Sequence, residues 1–470
     1  MRNAKVSRIL VILLIAISTS ILYAVRLSNA NTTYEAEGTV LLCCNVFMWG
    51  CLAFIVSGYD FYVFEPIVFV FFLYYMIFVF QPINNIVIDN VTEFGVNTMK
   101  GCIKATLIFM GSFVCMLLGY YGKPSGENAI SGKYIRKTEE LNTEGEDDTY
   151  DKDSLLIYSW VLWFVGIAGF LIYNILVGRS AIYMLSFGLL GRGNLGSRGY
   201  DVLILSMIVY LSFYPLMNII TYGRNNILKV LALAITCAPL ATRGFRNVLV
   251  VVLSGPVLYH YIKRKKTPSA IAAVLFFCVF VFIFGFIGAT RGATRIGRAV
   301  DLSTYEYTDG LDGILYYFDS YKVFYGAVMQ YPQNYSYTNG IQLLYTIIMF
   351  IPRFIWSGKP DTPIREVIGR STGPLSQSGG SAWPNIGEYY TDLGIIGTFV
   401  CMLVLGVLLR KMKGMYQGKQ NSSARMMLYC LFLPALVTII AYGYTAGNMP
   451  QYLLMALPYI IQKYFVKRSS

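Results

Sequence analysis

The sequence predicts an all-α, polytopic integral membrane protein of about twelve spanning helices, and three observations predict it. Of its 470 residues, 56% are hydrophobic and only 13% are charged, which is more apolar surface than a water-soluble domain can hide. Apolar runs of about 17 to 25 residues, long enough to cross roughly 30 Å of hydrocarbon as helices, recur along most of the chain. Lysine and arginine gather at the ends of these runs. The runs leave no room for a soluble domain between them, so residues 1–470 read as a single transmembrane domain.

In chain order the runs fall near 7–25, 39–57, 63–80, 101–119, 154–178, 200–222, 226–242, 246–262, 268–290, 386–409, 425–445 and 447–463. The first follows Arg2, Lys5 and Arg8 and so has the charge pattern of a signal peptide, but no small-residue cleavage site follows it, and it reads as the first span. Pro66, Pro215, Pro239, Pro256, Pro434 and Pro458 fall within runs, which helices in lipid tolerate when neighbours satisfy the freed carbonyls. No repeat of fixed period appears, and no pair of runs suggests inverted transporter halves.

Orientation follows from the positive-inside bias. Arg2, Lys5 and Arg8 open the chain; Lys263, Arg264, Lys265 and Lys266 follow one run; Arg410, Lys411 and Lys413 follow another; Lys463, Lys467 and Arg468 close it. All four clusters are expected on the cytoplasmic side, with both termini. The same count makes residues 122–153, with the acidic run Glu144, Glu146, Asp147 and Asp148, a cytoplasmic polar loop. Parity then constrains residues 291–386. The run before Arg291 starts at the cytoplasmic lysine cluster and the run after Gly387 ends at another, so this stretch begins and ends outside. Ile341–Trp356 lies within it, is short and is broken by Pro352 and Arg353; it is expected to be re-entrant or to lie flat on the outer surface.

The net charge of +13 invites a nucleic-acid reading, yet the basic residues form no continuous stripe, and topology plus anion binding accounts for them. All nine cysteines lie in apolar runs without a CxxC or a partnering histidine pattern, so no metal site is indicated. The one histidine, His260, falls at the cytoplasmic end of its run and cannot be the base of an external site. The absence of Walker, GxSxG and HExxH motifs argues against ATP hydrolysis, a serine hydrolase and a zincin.

Basic residues at the outer ends of spans are what the positive-inside bias disfavours, so Arg243 and Arg246 in ATRGFRN, and Arg291, Arg295 and Arg298 in ATRGATRIGR, need a reason. An anionic ligand is the simplest. If the preceding helix continues outward, positions 291, 295 and 298 share one face, and three guanidinium groups there suit a diphosphate. The competing reading is snorkelling to phospholipid headgroups. The outer stretch is also rich in tyrosine, from Tyr305 to Tyr337, interleaved with Asp309, Asp312, Asp319, Asn334 and Asn339. That mixture suits sugar stacking and hydroxyl recognition, and equally an interfacial aromatic belt. Glu388 and Asp392, spaced i and i+4 near the outer start of a span, share one helix face. They are placed to activate an acceptor hydroxyl, to orient an arginine, or merely to meet a helix dipole.

Four motifs, ATRGFRN at 241–247, ATRG at 289–292, IPRFIW with the following GKP at 351–360, and GEYYTDLGIIG at 387–397, resemble the bacterial O-antigen polymerase (Wzy) and oligosaccharide repeat unit polymerase family. The resemblance covers mainly residues 190–400; the first half matches in hydropathy alone. It implies a glycosyltransferase of the bacterial inner membrane that transfers a growing glycan from undecaprenyl diphosphate to a new lipid-linked repeat unit, with no nucleotide sugar, cofactor or metal. By motif match it implies roles for Arg243, Arg291, Arg353 and Glu388, with Asp392 as a second carboxylate and Tyr389 beside the sugar. It also implies membrane lipids and a chain-length regulator as partners. The related ligases use an outer-loop histidine, which this chain lacks, so polymerase is preferred. The rival class is a transporter or flippase of the same lipid-linked oligosaccharide, which would line a central cavity with arginines; few charges fall at mid-span here.

Overall fold

A computed structural model of the chain describes residues 2–30, 32–58, 61–93, 95–122, 150–176, 207–242, 246–269, 318–349, 364–372, 382–417 and 422–466, with scattered positions in 271–282, 314–315 and 351–360. Its helices are α1 (Arg2–Ser28), α2 (Glu35–Val56), α3 (Pro66–Val87, with a π turn over Met76–Phe80), α4 (Cys102–Tyr121) and α5 (Lys152–Leu176). After them come α6 (Phe213–Tyr222), α7 (Asn226–Thr242), α8 (Arg246–Lys263), α9 (Tyr321–Gln330), α10 (Ile341–Ile348) and α11 (Ile364–Thr372). The chain closes with α12 (Asn385–Gln417), α13 (Ser423–Tyr442) and α14 (Thr445–Phe465). One hairpin, β1 (Thr92–Glu93) against β2 (Val96–Asn97), joins α3 to α4.

Among the described residues, seven helices are long and apolar enough to cross a membrane: α1 to α5, α12 and α13. Three shorter apolar helices, Ile208–Tyr222, Asn226–Ala241 and Asn247–Lys263, accompany them. The outer faces of these helices are apolar: on α1 alone Leu10, Leu14, Ile17 and Ile21 are each more than half exposed. A soluble protein does not tolerate such a continuous apolar exterior, whereas lipid is its natural solvent. Inside, aromatic packing dominates. Phe71, Tyr74, Phe78, Phe109 and Phe113 are fully buried, and the Phe78 and Phe109 rings stack with centroids 4.2 Å apart.

Helices α4 and α12 form the most extensive pairing, running parallel and touching backbone to backbone. A Cβ on Gly119 would stand 2.1 Å from the Leu403 carbonyl oxygen, and one on Gly406 would stand 2.0 Å from that of Met116. Only glycine permits this approach, the small-residue contact by which helices associate in lipid, where burial from water cannot drive them together.

Side-chain contacts sort the helix termini into two ends. At one, the Arg8 guanidinium lies 5.7 Å over the Phe61 ring, and the Tyr62 hydroxyl donates to the backbone oxygens of Tyr261 and Lys266. At this same end Glu65, 3% exposed, accepts from Lys413 Nζ at 2.8 Å and from the Tyr120 hydroxyl at 2.9 Å. Lys263 donates to Ser423 Oγ, Arg425 to the Tyr459 hydroxyl, and Lys463 sits over the Tyr459 ring. The start of α1, the start of α3, and the ends of α4, α8, α12 and α14 therefore share one end, and each basic cluster with described residues lies there. It is the basic end. Tyr121 and Tyr150, which flank the polar loop, are described; its residues 123–149 lie outside the described residues.

At the opposite end α9, α10 and α11 pack over the starts of α4, α12 and α14. What the sequence offered as a tyrosine-rich loop contains three helices, and α10 is eight residues long, about 12 Å and too short to cross hydrocarbon. Two expected boundaries also shift. Pro66 is the first residue of α3, where its missing N–H costs nothing, and not an interior proline. The third run was expected to end at Phe80, yet α3 continues to Val87, because the buried amides of Gln81 and Asn85 donate to Asp319 at 2.8 and 2.7 Å.

Candidate functional site

The opposite end holds the first turns of α12, with their two carboxylates. Asn385 to Leu393 form a short helical piece that Gly394 breaks; its φ of 69° and ψ of −168° are open to glycine and strained for other residues. A Cβ there would also meet the Tyr337 ring at 3.1 Å. This break separates the turns carrying Glu388, Tyr389 and Asp392 from the long apolar helix that follows.

Both carboxylates are fully buried, and each caps a different helix. Glu388 accepts from the Thr445 backbone N–H at 3.0 Å and from its hydroxyl at 2.8 Å, at the first residue of α14. The α14 N-cap, Tyr444, does not cap the helix with its own side chain, and Glu388 takes that place from a neighbouring helix. Asp392 does the same for α10. It accepts from the Thr338 hydroxyl and from the backbone N–H groups of Gly340 at 2.9 Å, Gln342 at 3.2 Å and Leu343 at 3.1 Å. Three of these donors converge on Oδ1 and the fourth, the Leu343 N–H, reaches Oδ2, so Asp392 is anchored at the start of α10. The dipole reading of the two acids is met in an unexpected form, through helices other than their own.

The other end of α10 is finished by a base. Lys359, 8% exposed, donates from Nζ to the backbone oxygens of Met349 at 3.1 Å and Ile351 at 3.0 Å, and its ammonium lies 5.4 Å over the Tyr345 ring. A carboxylate at the N-terminus and an ammonium at the C-terminus both match the dipole, which gives a two-turn helix the stability its length denies it. Only Gln342 and Tyr345 of α10 are buried. Ile341, Leu344 and Ile347 are exposed at 48%, 52% and 69%, so its outer face is apolar.

Around this helix the tyrosines form one cluster. Tyr331 stacks with Tyr337 at 6.3 Å, Tyr337 meets Tyr390 edge-on at 5.8 Å, and the Tyr390 hydroxyl donates to the Tyr331 backbone oxygen. Arg370 of α11 lies 4.9 Å from the centre of the Tyr335 ring and pairs with Glu366. Lys322 of α9, 2% exposed, contacts Asn90 at 3.1 Å and Asp319 at 3.5 Å. Tyr389 is buried within the same layer.

The arginines fare differently. Helix α8 begins at Arg246 and reaches the basic end at Lys263, so its first turn lies toward the opposite end. Arg243, Arg291, Arg295, Arg298 and Arg353 lie outside the described residues, as does the side chain of Arg246. Lys359, Lys322 and Arg370 were not singled out from the sequence. Lys359 stands in the quoted GKP, and a lysine just past an apolar helix is a recognisable C-terminal signal. No family model, curated protein or solved structure matches the chain.

Proposed function

We propose that this chain polymerises undecaprenyl-diphosphate-linked oligosaccharide repeat units into a surface polysaccharide, as a twelve-span glycosyltransferase of a bacterial inner membrane with both termini cytoplasmic. The observation that carries the reading is the separation of the clustered cations from a buried set of acids and tyrosines. The clustered lysines and arginines share one end, while the buried acids Glu388 and Asp392 and the tyrosine cluster lie at the other. By the positive-inside bias the basic end is cytoplasmic, which leaves the second set facing outward, where membrane topology alone supplies no reason for it.

In the proposed reaction an acceptor sugar hydroxyl attacks the anomeric carbon of the donor glycan. The new glycosidic C–O bond forms as the bond to the diphosphate breaks, and undecaprenyl diphosphate leaves with the electron pair. Arg243, Arg246, Arg291, Arg295 and Arg298 would hold that diphosphate, whose charge grows as the bond breaks, so fixed guanidinium groups favour the transition state over the ground state. Arg353 would serve as a further phosphate contact. Glu388 would take the acceptor proton, and Tyr389 would border the sugar. Asp392, anchored at the start of α10, is the second candidate for that proton.

The test is a comparison of Arg243→Ala and Arg291→Ala with the corresponding lysine variants in cells. Polymer should vanish in the alanine variants at matched protein levels, and lysine should rescue poorly, because an ammonium lacks the bidentate fork. If snorkelling were the whole reason for these arginines, lysine would serve nearly as well.

A further inference from the structure

The basic end carries more than topology. Three segments distant in sequence enclose a cleft of about 500 Å³ lined by Arg8, Phe61, Tyr62, Val63, Lys265, Lys266 and Thr267. Three of these are cations, and none of these lining residues is acidic. The nearby carboxylate of Glu65 is already engaged by Lys413 and Tyr120. Like charges gathered around one cleft repel, and with no acid among its described lining residues the cleft favours an anion.

The backbone is built to hold that arrangement. Helix α8 ends in a Schellman-type turn, with Lys266 N–H bonding back to the Tyr261 oxygen and Lys265 N–H to that of Ile262. The left-handed position of such a turn belongs to glycine, yet here Lys265 occupies it with φ of 50°. A lysine at that position is held against its own backbone preference, and strain of this kind marks sites where the side chain is wanted. The Tyr62 hydroxyl ties the turn down by donating to the Lys266 and Tyr261 backbone oxygens, at 3.1 and 3.4 Å. The Arg8 guanidinium is fixed over Phe61 in the opposite wall. Beside the cleft, Val6, Leu10 and Val63 are about half exposed, an apolar margin next to a cationic pocket.

We propose that this cleft binds a phosphoryl anion at the basic end of the bundle, with Arg8, Lys265 and Lys266 as its ligands. The apolar margin suits the headgroup of an anionic phospholipid, whose acyl chains would lie along α1; a soluble diphosphate shares the chemistry and lacks the chains. The site is independent of the polymerase reading and lies at the other end of the molecule.

The test is native mass spectrometry of the delipidated full chain in detergent, titrated separately with phosphatidylglycerol, phosphatidylethanolamine and inorganic diphosphate. Phosphatidylglycerol should bind with at least one copy retained, and each cation replaced in Arg8→Gln, Lys265→Gln and Lys266→Gln should weaken it by about fivefold. Arg224→Gln, an exposed cation elsewhere at this end, should leave binding unchanged. Lys265→Gly separates binding from folding, because it should weaken lipid retention while leaving thermal stability equal or higher. Binding of diphosphate in preference to lipid would assign the site to a soluble anion. Equal retention of every ligand by wild type and the triple glutamine variant, or full binding by a stable Lys265→Gly, would overturn the proposal.

Discussion

Removing the Asp392 carboxylate tests what the acids of α12 do. Asp392→Ala deletes an acceptor that serves one hydroxyl and three backbone N–H groups. Each buried donor left without a partner costs about 1–3 kcal/mol, and the gain from no longer burying a carboxylate offsets part of the total. A net loss of about 3–5 kcal/mol is expected, in line with breaking other buried charged networks. Asp392→Asn keeps Oδ1 for Thr338, Gly340 and Gln342 but turns an NH₂ toward the Leu343 N–H, and it removes the charge at the helix terminus. Its cost should be intermediate, about 1–3 kcal/mol. Lys359→Met, at the other end of the same helix, removes two charge-assisted bonds and should cost about 1.5–3 kcal/mol. The assay is apparent thermal stability of the detergent-purified protein, with limited proteolysis to ask whether cleavage appears within 341–348. Polymer formation is measured on the same samples. A capping residue lowers stability and activity together. Full stability of Asp392→Asn with complete loss of polymer would refute the capping account and return Asp392 to the role of base.

Three further outcomes follow from other contacts. Gly406→Ala places a methyl 2.0 Å from the Met116 oxygen and should destabilise by about 1–3 kcal/mol, whereas Gly414→Ala, with nothing within 4 Å, should be neutral or slightly stabilising; thermal unfolding separates them. Cysteines introduced at Asn339 and Ser378 in a cysteine-free background should both react with an impermeant thiol reagent from outside, and labelling of only one would break the parity argument. Glu388→Gln should abolish polymer, and because glutamine retains an acceptor for the Thr445 N–H it should lower stability less than Glu388→Ala does.

The class of this fold was open to inspection because lipid imposes a long, simple period. Helices that must satisfy their own backbone and face hydrocarbon on one side announce themselves as apolar runs, and α2, α4, α5, α7, α8, α13 and α14 lie close to where those runs fall. The basic clusters were equally legible, and their gathering at one end follows from charge placement alone. What escaped detection depends on contacts between distant segments. Gln81 and Asn85 looked like the end of a span, since nothing local says that Asp319, more than two hundred residues on, will accept from both. The pair Glu388 and Asp392 was found by spacing, but their separate destinations, Thr445 and Gly340, are set by tertiary packing that no i, i+4 rule contains. Lys359 was hidden for the same reason: its role is defined by the Met349 and Ile351 carbonyls just past α10, and α10 itself lay inside what hydropathy treats as a broken run.

The central claim is glycosyl transfer between lipid-linked units, and it is tested most directly by reconstitution. The purified chain, alone in proteoliposomes, would be given polyprenyl-diphosphate-linked repeat units extracted from cells lacking it, without nucleotide sugar or added divalent metal. The account predicts a ladder of products rising by one repeat unit at a time, with release of polyprenyl diphosphate, and its loss in Arg243→Ala and Arg291→Ala. Movement of intact repeat units across the bilayer with no elongation would contradict it and identify a transporter.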